Sequence, residues 1–181
     1  KSANFLAFIF WLLVASYNLH FSLKSGNITL FLLAIQSGMI AYFLVVRSKP
    51  SKNSTFSAQL TSWFAAIAPL LMESGGCLIF TTPLIIFGLM LNVWALKYLG
   101  KSFGIAPTDR GLVTNGPYKF IRHPMYAGEL VSLLGIALGC YTQRNLAVFV
   151  LMCALFYKRI RWEEGIIKGY TSYKKEVRSR L

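Results

Sequence analysis

The chain has 181 residues, of which 55% are hydrophobic and only 14% are charged, and its formal net charge is +13. Apolar runs of about twenty residues, the length needed to cross a hydrocarbon core, exclude an ordinary water-soluble protein. The basic residues lie between and after these runs, as expected for loops that face anionic lipid head groups, and this distribution argues against nucleic-acid binding. The length indicates a single all-α transmembrane bundle over residues 1–181.

Six apolar runs predict the helices of a polytopic bundle with five to six spans. In chain order they cover residues 5–23, 28–46, 56–73, 78–99, 126–142 and 145–160. No small-residue cleavage site follows the first run, so we predict a retained span there. The last two runs are short for full crossings, and their link at Tyr141–Asn145 is tight. They form either two spans or a helical hairpin that enters the bilayer without clearing its far side.

The connectors predict the orientation of the bundle. Residues 47–52, between the second and third helices, carry three basic side chains, whereas the next link carries Glu73 and no basic residue. Basic loops face the cytoplasm, so the 47–52 loop is placed there. Both termini and the connector 100–125 are then cytoplasmic, and only Lys24 and Arg144 remain as basic residues on the opposite face.

The three cysteines, Cys77, Cys140 and Cys153, are far apart along the chain. Each lies among apolar neighbours, and an odd number does not suggest a disulfide framework. Their spacing also gives no indication of a metal site. We therefore predict three buried free thiols and no metal.

Small residues form a narrow stripe in the fifth predicted helix. Gly128, Ser132, Gly135 and Gly139 follow one another at spacings of four, three and four, which places them on one helical face. Such a stripe favours close helix packing over a groove for a ligand.

The connector from Gly100 to Pro117 is too long to be a simple turn. Loops of more than about a dozen residues in a compact domain are functional or disordered. This one mixes turn residues with Phe103, Ile105 and Leu112, which predicts a folded loop that packs over a site. Neither G-x-G-x-x-G nor a P-loop motif occurs, so a Rossmann or P-loop unit is not predicted.

A polar cluster lies at the start of the fifth helix. Arg122, His123 and Tyr126 stand where the chain enters an apolar run. Ionisable groups at a membrane boundary are costly unless they face a protein interior or an aqueous cavity, so they are candidates for function. Pro124 can open the helix at its first turn, which puts His123 beside a helix N-terminus, where anions bind.

Two adjacent carboxylates follow the sixth helix. The chain has only six acidic residues, and Glu163 and Glu164 stand together in an otherwise basic tail. If the helix continues, Arg159 with Glu163 and Glu164 with Lys168 are i,i+4 pairs, and surface ion pairing is then the alternative to a functional role.

These residues together carry a resemblance to a known family. They match its pattern Gly116-x-Tyr118-x-x-x-Arg122-His123-Pro124-x-Tyr126, a helical hairpin, Arg159-x-x-x-Glu163-Glu164 and a Tyr-rich tail. The chain thus resembles, over roughly residues 97–175, the isoprenylcysteine carboxyl methyltransferase family and its phospholipid-methyltransferase relatives. The resemblance implies an integral-membrane enzyme that binds S-adenosylmethionine in a cytoplasm-facing pocket and lacks the soluble Rossmann-type fold. Residues 1–96 would supply membrane spans, and residues 97–181 would bind the cofactor.

The C-terminal part supplies a partner for each end of this cofactor. Arg122 and His123 can donate charge-assisted hydrogen bonds to its carboxylate, and Glu163 or Glu164 can accept from its ammonium. Tyrosine hydroxyls add donors, and aromatic rings such as Phe103 can line the adenine or face the sulfonium. The expected cofactor-binding residues are Phe103, Gly104, Tyr118, Arg122, His123, Pro124, Tyr126, Gly128, Glu163 and Glu164.

The expected reaction is an in-line displacement, in which positioning of the reactants dominates catalysis. A carboxylate acceptor is already ionised, whereas an amine or thiol first loses a proton, for which His123 or a glutamate can serve. Arg159 can hold an anionic acceptor at the bilayer edge. The expected catalytic residues are His123, Arg159 and Glu163.

The acceptor is expected to be lipophilic and to reach the site from the membrane. The resemblance points first to carboxyl O-methylation of an isoprenylcysteine-like or other isoprenoid or lipid acid. N-methylation of a phospholipid amine and S-methylation of a hydrophobic thiol are alternatives. Two further alternatives are a membrane sterol-type reductase that uses NADPH and a non-catalytic protein whose basic tail binds anionic membrane lipids. The polar residues to inspect in the first four helices are Asn18, His20, Gln36, Gln59 and Asn92.

Overall fold

The computed structural model describes residues 2–73 and 79–181, and within these ranges the protein is almost entirely helical, which confirms the all-α prediction. Seven α-helices lie in the described ranges: α1 Ser2–Ser25, α2 Ile28–Val46, α3 Phe56–Ile67, α4 Thr82–Leu99, α5 Pro124–Gly139, α6 Gln143–Ile166 and α7 Tyr170–Glu176. Short 3-10 turns are Ala68–Leu71, Ile79–Thr81, Gly100–Ser102 and Gly116–Lys119.

The helices form a membrane bundle in which neighbours in space differ from neighbours in sequence. α1 packs on α2, α2 on α4, α4 on α5, α5 on α6, and α6 on α3. Among the described residues, the segments Phe5–Ser25, Ile28–Val46 and Thr82–Ser102 are long and apolar enough to cross a membrane, and Phe56–Leu71 and Pro124–Gly139 are shorter apolar helices. The helices therefore contact one another in the order α1, α2, α4, α5, α6 and α3, with α4 and α5 in the middle of that order.

Several predicted helix ends differ from the observed ones. The third predicted helix was extended to residue 73, but α3 ends at Ile67 and gives way to a 3-10 turn, because Pro69 has no backbone N–H to continue the α-helical hydrogen bonds. The sixth was ended at residue 160, but α6 continues to Ile166 and carries both glutamates with it. The short helix α7 was not predicted, and residues 74–78, within the predicted fourth helix and the link before it, lie outside the described residues.

The connector after α4 folds onto the basic loop after α2. Strand β1, Lys52–Asn53, pairs antiparallel with strand β2, Thr108–Asp109. The backbone N–H of Ser48 donates to the carbonyl of Lys101 at 2.8 Å, and the hydroxyl of Ser51 donates to the Asp109 carboxylate at 2.8 Å. Phe103 and Ile105 are buried against the bundle, as predicted for a packed loop. This strand pair, which was not predicted, joins the two connectors at one end of the bundle.

The small-residue stripe of α5 packs against α4. Gly128 faces the backbone of Gly88 and Asn92, and Gly135 faces Ile85. These contacts confirm the packing interpretation and allow the two helix backbones to approach closely.

The opposite end of the bundle is closed by polar contacts between the start of α6 and the end of the turn after α3. Asn145 donates to the carbonyls of Glu73, at 3.0 Å, and Cys140, at 2.8 Å, and Arg144 pairs with Glu73. Cys140 is engaged in a disulfide, so the prediction of a free thiol is wrong there, because sequence spacing carries no information on which cysteine the fold brings near. Cys153 is free, and Cys77 lies outside the described residues.

Candidate functional site

The polar cluster at the start of α5 is fastened to the end of the chain. His123 is the N-cap residue of α5 and Pro124 its first residue, as the sequence predicts. The backbone N–H of Arg122 donates to the carbonyl of Ser179 at 3.0 Å, and that of His123 donates to the carbonyl of Arg180 at 3.1 Å. The C-terminal residues therefore run alongside the cluster.

Glu164 is the centre of an ion-pair network at this place. Arg122 donates to its carboxylate at 3.1 Å, and Arg180 donates to both oxygens, at 3.0 and 2.6 Å. The hydroxyl of Tyr170 adds a hydrogen bond at 3.3 Å. The side chains of Arg122 and Glu164 are 7% and 11% exposed, so the pair is shielded from water. Glu164 thus pairs with Arg122 and Arg180, and not with Lys168 as in the alternative of surface ion pairing.

The guanidinium of Arg122 also donates hydrogen bonds to the C-terminal tail, residues 177–181. Its Nε donates to the carbonyl of Ser179 and one Nη to the carbonyl of Arg178, each at 3.4 Å. Every nitrogen of the guanidinium thus has a partner within the protein, and Arg122 holds the tail in place.

Glu163, next to Glu164 in α6, contacts Tyr126 and His123 of α5 and its N-cap. The hydroxyl of Tyr126 donates a hydrogen bond to one carboxylate oxygen of Glu163. The other oxygen lies 3.6 Å from Nδ1 of His123. His123 Nε2 is hydrogen-bonded to the Tyr170 hydroxyl at 2.7 Å. The imidazole is therefore held by the Tyr170 hydroxyl on one side and the Glu163 carboxylate on the other, and the Tyr126 ring stacks on it at 5.8 Å between centroids.

The two central groups have opposite protonation behaviour. Burial lowers the pKa of His123 to about 4, although the adjacent Glu164 acts in the opposite direction. Burial raises the pKa of Glu164, but the hydrogen bonds and charge of Arg180 outweigh it, and the pKa falls to about 2. At neutral pH the imidazole is therefore uncharged and Glu164 is ionised. His123 thus lacks the positive charge that the sequence interpretation gave it.

An outer cavity lies between α5, the end of α6 and the connector. Six of the predicted residues line it: Gly104, Tyr118, Arg122, His123, Tyr126 and Glu163. The apolar part of its wall comes from Leu112, Val113 and Ile167. The outer cavity therefore combines a carboxylate with an apolar face.

An inner cavity lies inside the bundle, lined by residues of helices α1 to α6 and of the connector. Its polar lining comes from Gln36, Asn92, Glu129 and Arg159. Met125 and Tyr126 line both cavities. The guanidinium carbon of Arg159 lies 5.0 Å from the centre of the Tyr126 ring. Tyr126 thus stands at the junction of the two cavities.

The remaining predicted residues lie apart from the outer cavity in the described part of the chain. Phe103 and Arg159 line the inner cavity. Pro124 is buried at the start of α5, and Gly128 contacts α4. Glu164 holds the tail. Arg159 is buried and its Nη2 donates to the carbonyl of Ile105 at 2.6 Å, so it is not a surface residue as the ion-pairing alternative required.

Sequence reasoning missed Glu129, the most informative residue of the inner cavity. Asn92 donates to its carboxylate at 2.8 Å and Gln36 at 3.2 Å. An acidic residue within an apolar run was the available signal, and it is the same signal that singled out Arg122. Arg110 and Trp11, which line the outer and inner cavities respectively, were also missed.

The fold and its two adjoining cavities define a helical membrane protein with a polar site at one end of its bundle. A family model for phospholipid methyltransferase matches residues 77–172, more than half of the chain. The chain belongs to this family of integral-membrane methyltransferases, which confirms the resemblance to that group.

Two curated relatives match part of the same region. Phosphatidylethanolamine N-methyltransferase B of Dictyostelium discoideum is 36% identical over 77 residues, which are 39% of this chain and 35% of the relative. Phosphatidyl-N-methylethanolamine N-methyltransferase of Saccharomyces cerevisiae is 39% identical over 67 residues, which are 37% of this chain and 32% of the relative. The match thus spans about a third of each relative's length. No solved structure gives a significant match.

Proposed function

We propose that this protein transfers a methyl group from S-adenosylmethionine to the amine of a phospholipid head group. The observation that carries the proposal is the meeting of two polar cavities at Met125 and Tyr126. A transferase for two substrates needs two sites whose reacting atoms come close. Membership of the phospholipid methyltransferase family supports the same reaction class.

The outer cavity has the chemistry to hold S-adenosylmethionine. The Glu163 carboxylate can accept from the ammonium of the cofactor, and Leu112, Val113 and Ile167 can cover the adenosine. For the carboxylate, Arg110 is better suited than Arg122, because only its Nε is bonded to a described residue, the carbonyl of Ser48 at 3.1 Å.

The bound cofactor would supply an electrophilic methyl carbon on a positively charged sulfur. The residues of this chain would align the amine with that carbon and exclude water. Tyr126 is fixed from two sides, by its hydrogen bond to Glu163 and by Arg159 over its ring. A rigid residue at the junction restricts the path between the cavities, and we assign Tyr126 this positioning role.

The inner cavity has a place for an amine acceptor. Glu129 puts an acidic side chain in its lining beside Arg159, and the oxygens of that side chain can accept hydrogen bonds from the N–H groups of an amine. The relatives are named as N-methyltransferases, which supports this alternative over the carboxyl O-methylation expected first.

The protein would act as one membrane domain with its site at the cytoplasmic face. The connectors that line the outer cavity belong to the end of the bundle that carries the basic loop, the end predicted to be cytoplasmic. The disulfide at Cys140 lies at the far end of α5, and disulfides persist in oxidising compartments outside the cytoplasm. Both observations support the predicted orientation, which places both termini in the cytoplasm.

The experiment is a cofactor titration of the purified protein by isothermal calorimetry. We expect S-adenosylhomocysteine to bind and NADPH not to bind. The variant Glu163→Gln should weaken S-adenosylhomocysteine binding at least tenfold, because the ammonium loses its charged partner. The matched control is Glu176→Gln, an exposed carboxylate at the end of α7. NADPH binding, or binding of neither compound, contradicts the proposal.

A further inference from the structure

Tyr126 connects the two cavities through its hydrogen bond as well as through its position. It lines both of them, whereas Glu163 lines the outer cavity and Glu129 lines the inner cavity. The Tyr126 hydroxyl donates to the Glu163 carboxylate, and no described residue donates to the hydroxyl oxygen. Because a hydroxyl both donates and accepts, this oxygen can take up a proton from the inner cavity while its own proton leaves for Glu163.

The hydrogen-bonded pair of Tyr126 and Glu163 is buried among other ionisable groups. Tyr126 is 3% exposed, and the side chain of Glu163 is 18% exposed. Four ionisable side chains face the pair from α6, the N-cap of α5 and the connector: Arg159, Glu164, His123 and Tyr118. The Arg159 guanidinium, 5.0 Å from the centre of the Tyr126 ring, stabilises negative charge that develops on the Tyr126 oxygen when its proton leaves.

Methyl transfer to an amine requires a proton acceptor. A primary amine resembles the lysine side chain, whose pKa is about 10.4, so at neutral pH almost all of it is the ammonium form. An ammonium has no electron pair with which to attack the methyl carbon, so one proton must leave for each methyl group transferred. An amine in the inner cavity can reach Glu163 only through Tyr126, because Glu163 does not line that cavity.

We propose that Tyr126 and Glu163 form a proton relay that removes a proton from the amine of the acceptor. This inference rests on the proposed function, and it gives Tyr126 a catalytic role beside its positioning role. An N–H bond of the ammonium breaks, its proton passes to the Tyr126 oxygen, and the Tyr126 O–H proton passes to Glu163. The electron pair left on nitrogen forms the N–C bond, while the C–S bond breaks and its pair stays on sulfur. Glu163 then releases the proton to water through the outer cavity.

The relay works only while Glu163 is ionised. Burial and the adjacent Glu164 raise the pKa of Glu163, Arg159 and the Tyr126 hydrogen bond lower it, and the net shift is upward. A raised pKa makes the carboxylate a stronger base, and it also means that the carboxylate is lost at a higher pH than usual. The methylation rate should therefore rise with pH through a pKa above the ordinary value of a glutamate, and then level off.

The test compares methyl transfer by the purified full chain to two dioctanoyl phospholipids. One is phosphatidylethanolamine, and in the other aminooxyethanol replaces ethanolamine, which gives an amine that is uncharged at neutral pH. We expect Tyr126→Phe to slow transfer to the first lipid by about a hundredfold or more, the usual contribution of a positioned base, and to leave transfer to the second unchanged. A residue that only positions the acceptor would affect both lipids alike. The matched control Tyr42→Phe, at a residue that is 60% exposed on α2, should leave both rates unchanged.

Binding of S-adenosylhomocysteine and the pH profile complete the test. We expect Tyr126→Phe to bind this compound as the unaltered protein does, because Glu163 is retained. The residual transfer of the variant to phosphatidylethanolamine should rise about tenfold per pH unit between about pH 7 and 9, as the fraction of free amine does. If the variant does not fold, the profile of the unaltered protein decides. A rate that levels off near neutral pH supports the relay, and a rate that follows the free amine overturns it.

The outcomes separate the relay from the proposed function. Equal transfer to phosphatidylethanolamine by Tyr126→Phe and the unaltered protein, or an equal loss with both lipids, overturns the relay and leaves the proposed function standing. Transfer to neither lipid by the unaltered protein overturns the proposed function and the relay together.

Discussion

Replacement of Gly128 by Ala tests the contact on which the geometry of both cavities depends. A Cβ at this position would lie 2.6 Å from the carbonyl oxygen of Gly88, 2.7 Å from the backbone nitrogen of Asn92 and 3.1 Å from its Cα. All three are backbone atoms of α4, which cannot rotate away as a side chain can. Ordinary contacts between carbon atoms begin near 3.5 Å, so α4 and α5 would have to separate by about 1 Å.

The expected loss of stability has two parts. Overpacking of a well-filled contact costs about 1–3 kcal/mol. Asn92, which is 2% exposed, donates to the carbonyl of Met125 at 3.2 Å and to Glu129 at 2.8 Å, and weakening these bonds costs about a further 1 kcal/mol. We therefore expect Gly128→Ala to lower the free energy of unfolding by about 3 kcal/mol, measured by SDS-induced unfolding in mixed micelles.

The matched control is Gly38→Ala in α2, where an added Cβ meets no atom within 4 Å. That variant should be neutral or more stable by up to about 1 kcal/mol, because Ala favours helix over Gly. Equal stability of Gly128→Ala and the unaltered protein would refute the close contact between α4 and α5.

Three further predictions concern the polar cluster. The pKa of His123 is about 4 in the folded protein and about 6.5 in the unfolded chain, so the unfolded chain takes up a proton first as the pH falls. The free energy of unfolding should therefore be highest above pH 6.5 and fall by about 3 kcal/mol as the pH drops toward 4. His123→Gln should remove this part of the pH dependence in a series of unfolding curves. Glu164→Gln leaves the buried Arg122 and the adjacent Arg180 without a carboxylate and should cost about 3 kcal/mol, with faster proteolysis of the C-terminal residues; an unchanged cleavage rate would argue against the tail contact. Tyr173→Phe removes a hydroxyl that donates to the backbone carbonyl of Tyr118 at 2.5 Å. It should lower the free energy of unfolding by about 1 kcal/mol in the same assay.

The polar cluster at the start of α5 could be predicted because its signal is local. Arg122, His123 and Pro124 are consecutive, and the proline opens a helix where an apolar run begins. Two ionisable residues at such a boundary are rarely explained by structure alone, so they indicate a site. The position of α2 was likewise predicted to the residue, since its apolar run is uninterrupted and Asn27 caps its first turn.

The partners within the site could not be predicted, because they are distant in sequence. Glu129 receives hydrogen bonds from residues 93 and 37 positions away, and Glu164 pairs with Arg122 across 42 positions. The local i,i+4 rule therefore paired Glu164 with Lys168, although a buried and pre-aligned arginine is the stronger partner. The end of α6 was placed too early because the apolar pattern stops at Ile160, while charged residues such as Arg161 and Glu163 continue a helix well.

The central claim is transfer of a methyl group to a phospholipid amine, and product analysis tests it most directly. Purified protein would be incubated with S-adenosylmethionine labelled in its methyl group, together with phosphatidylethanolamine and a farnesylated cysteine acid in equal amounts. We expect the label in N-methylated phosphatidylethanolamine, with the transfer lost in Glu129→Gln and retained in Glu73→Gln. Label in the methyl ester of the acid, or in neither compound, would contradict the account.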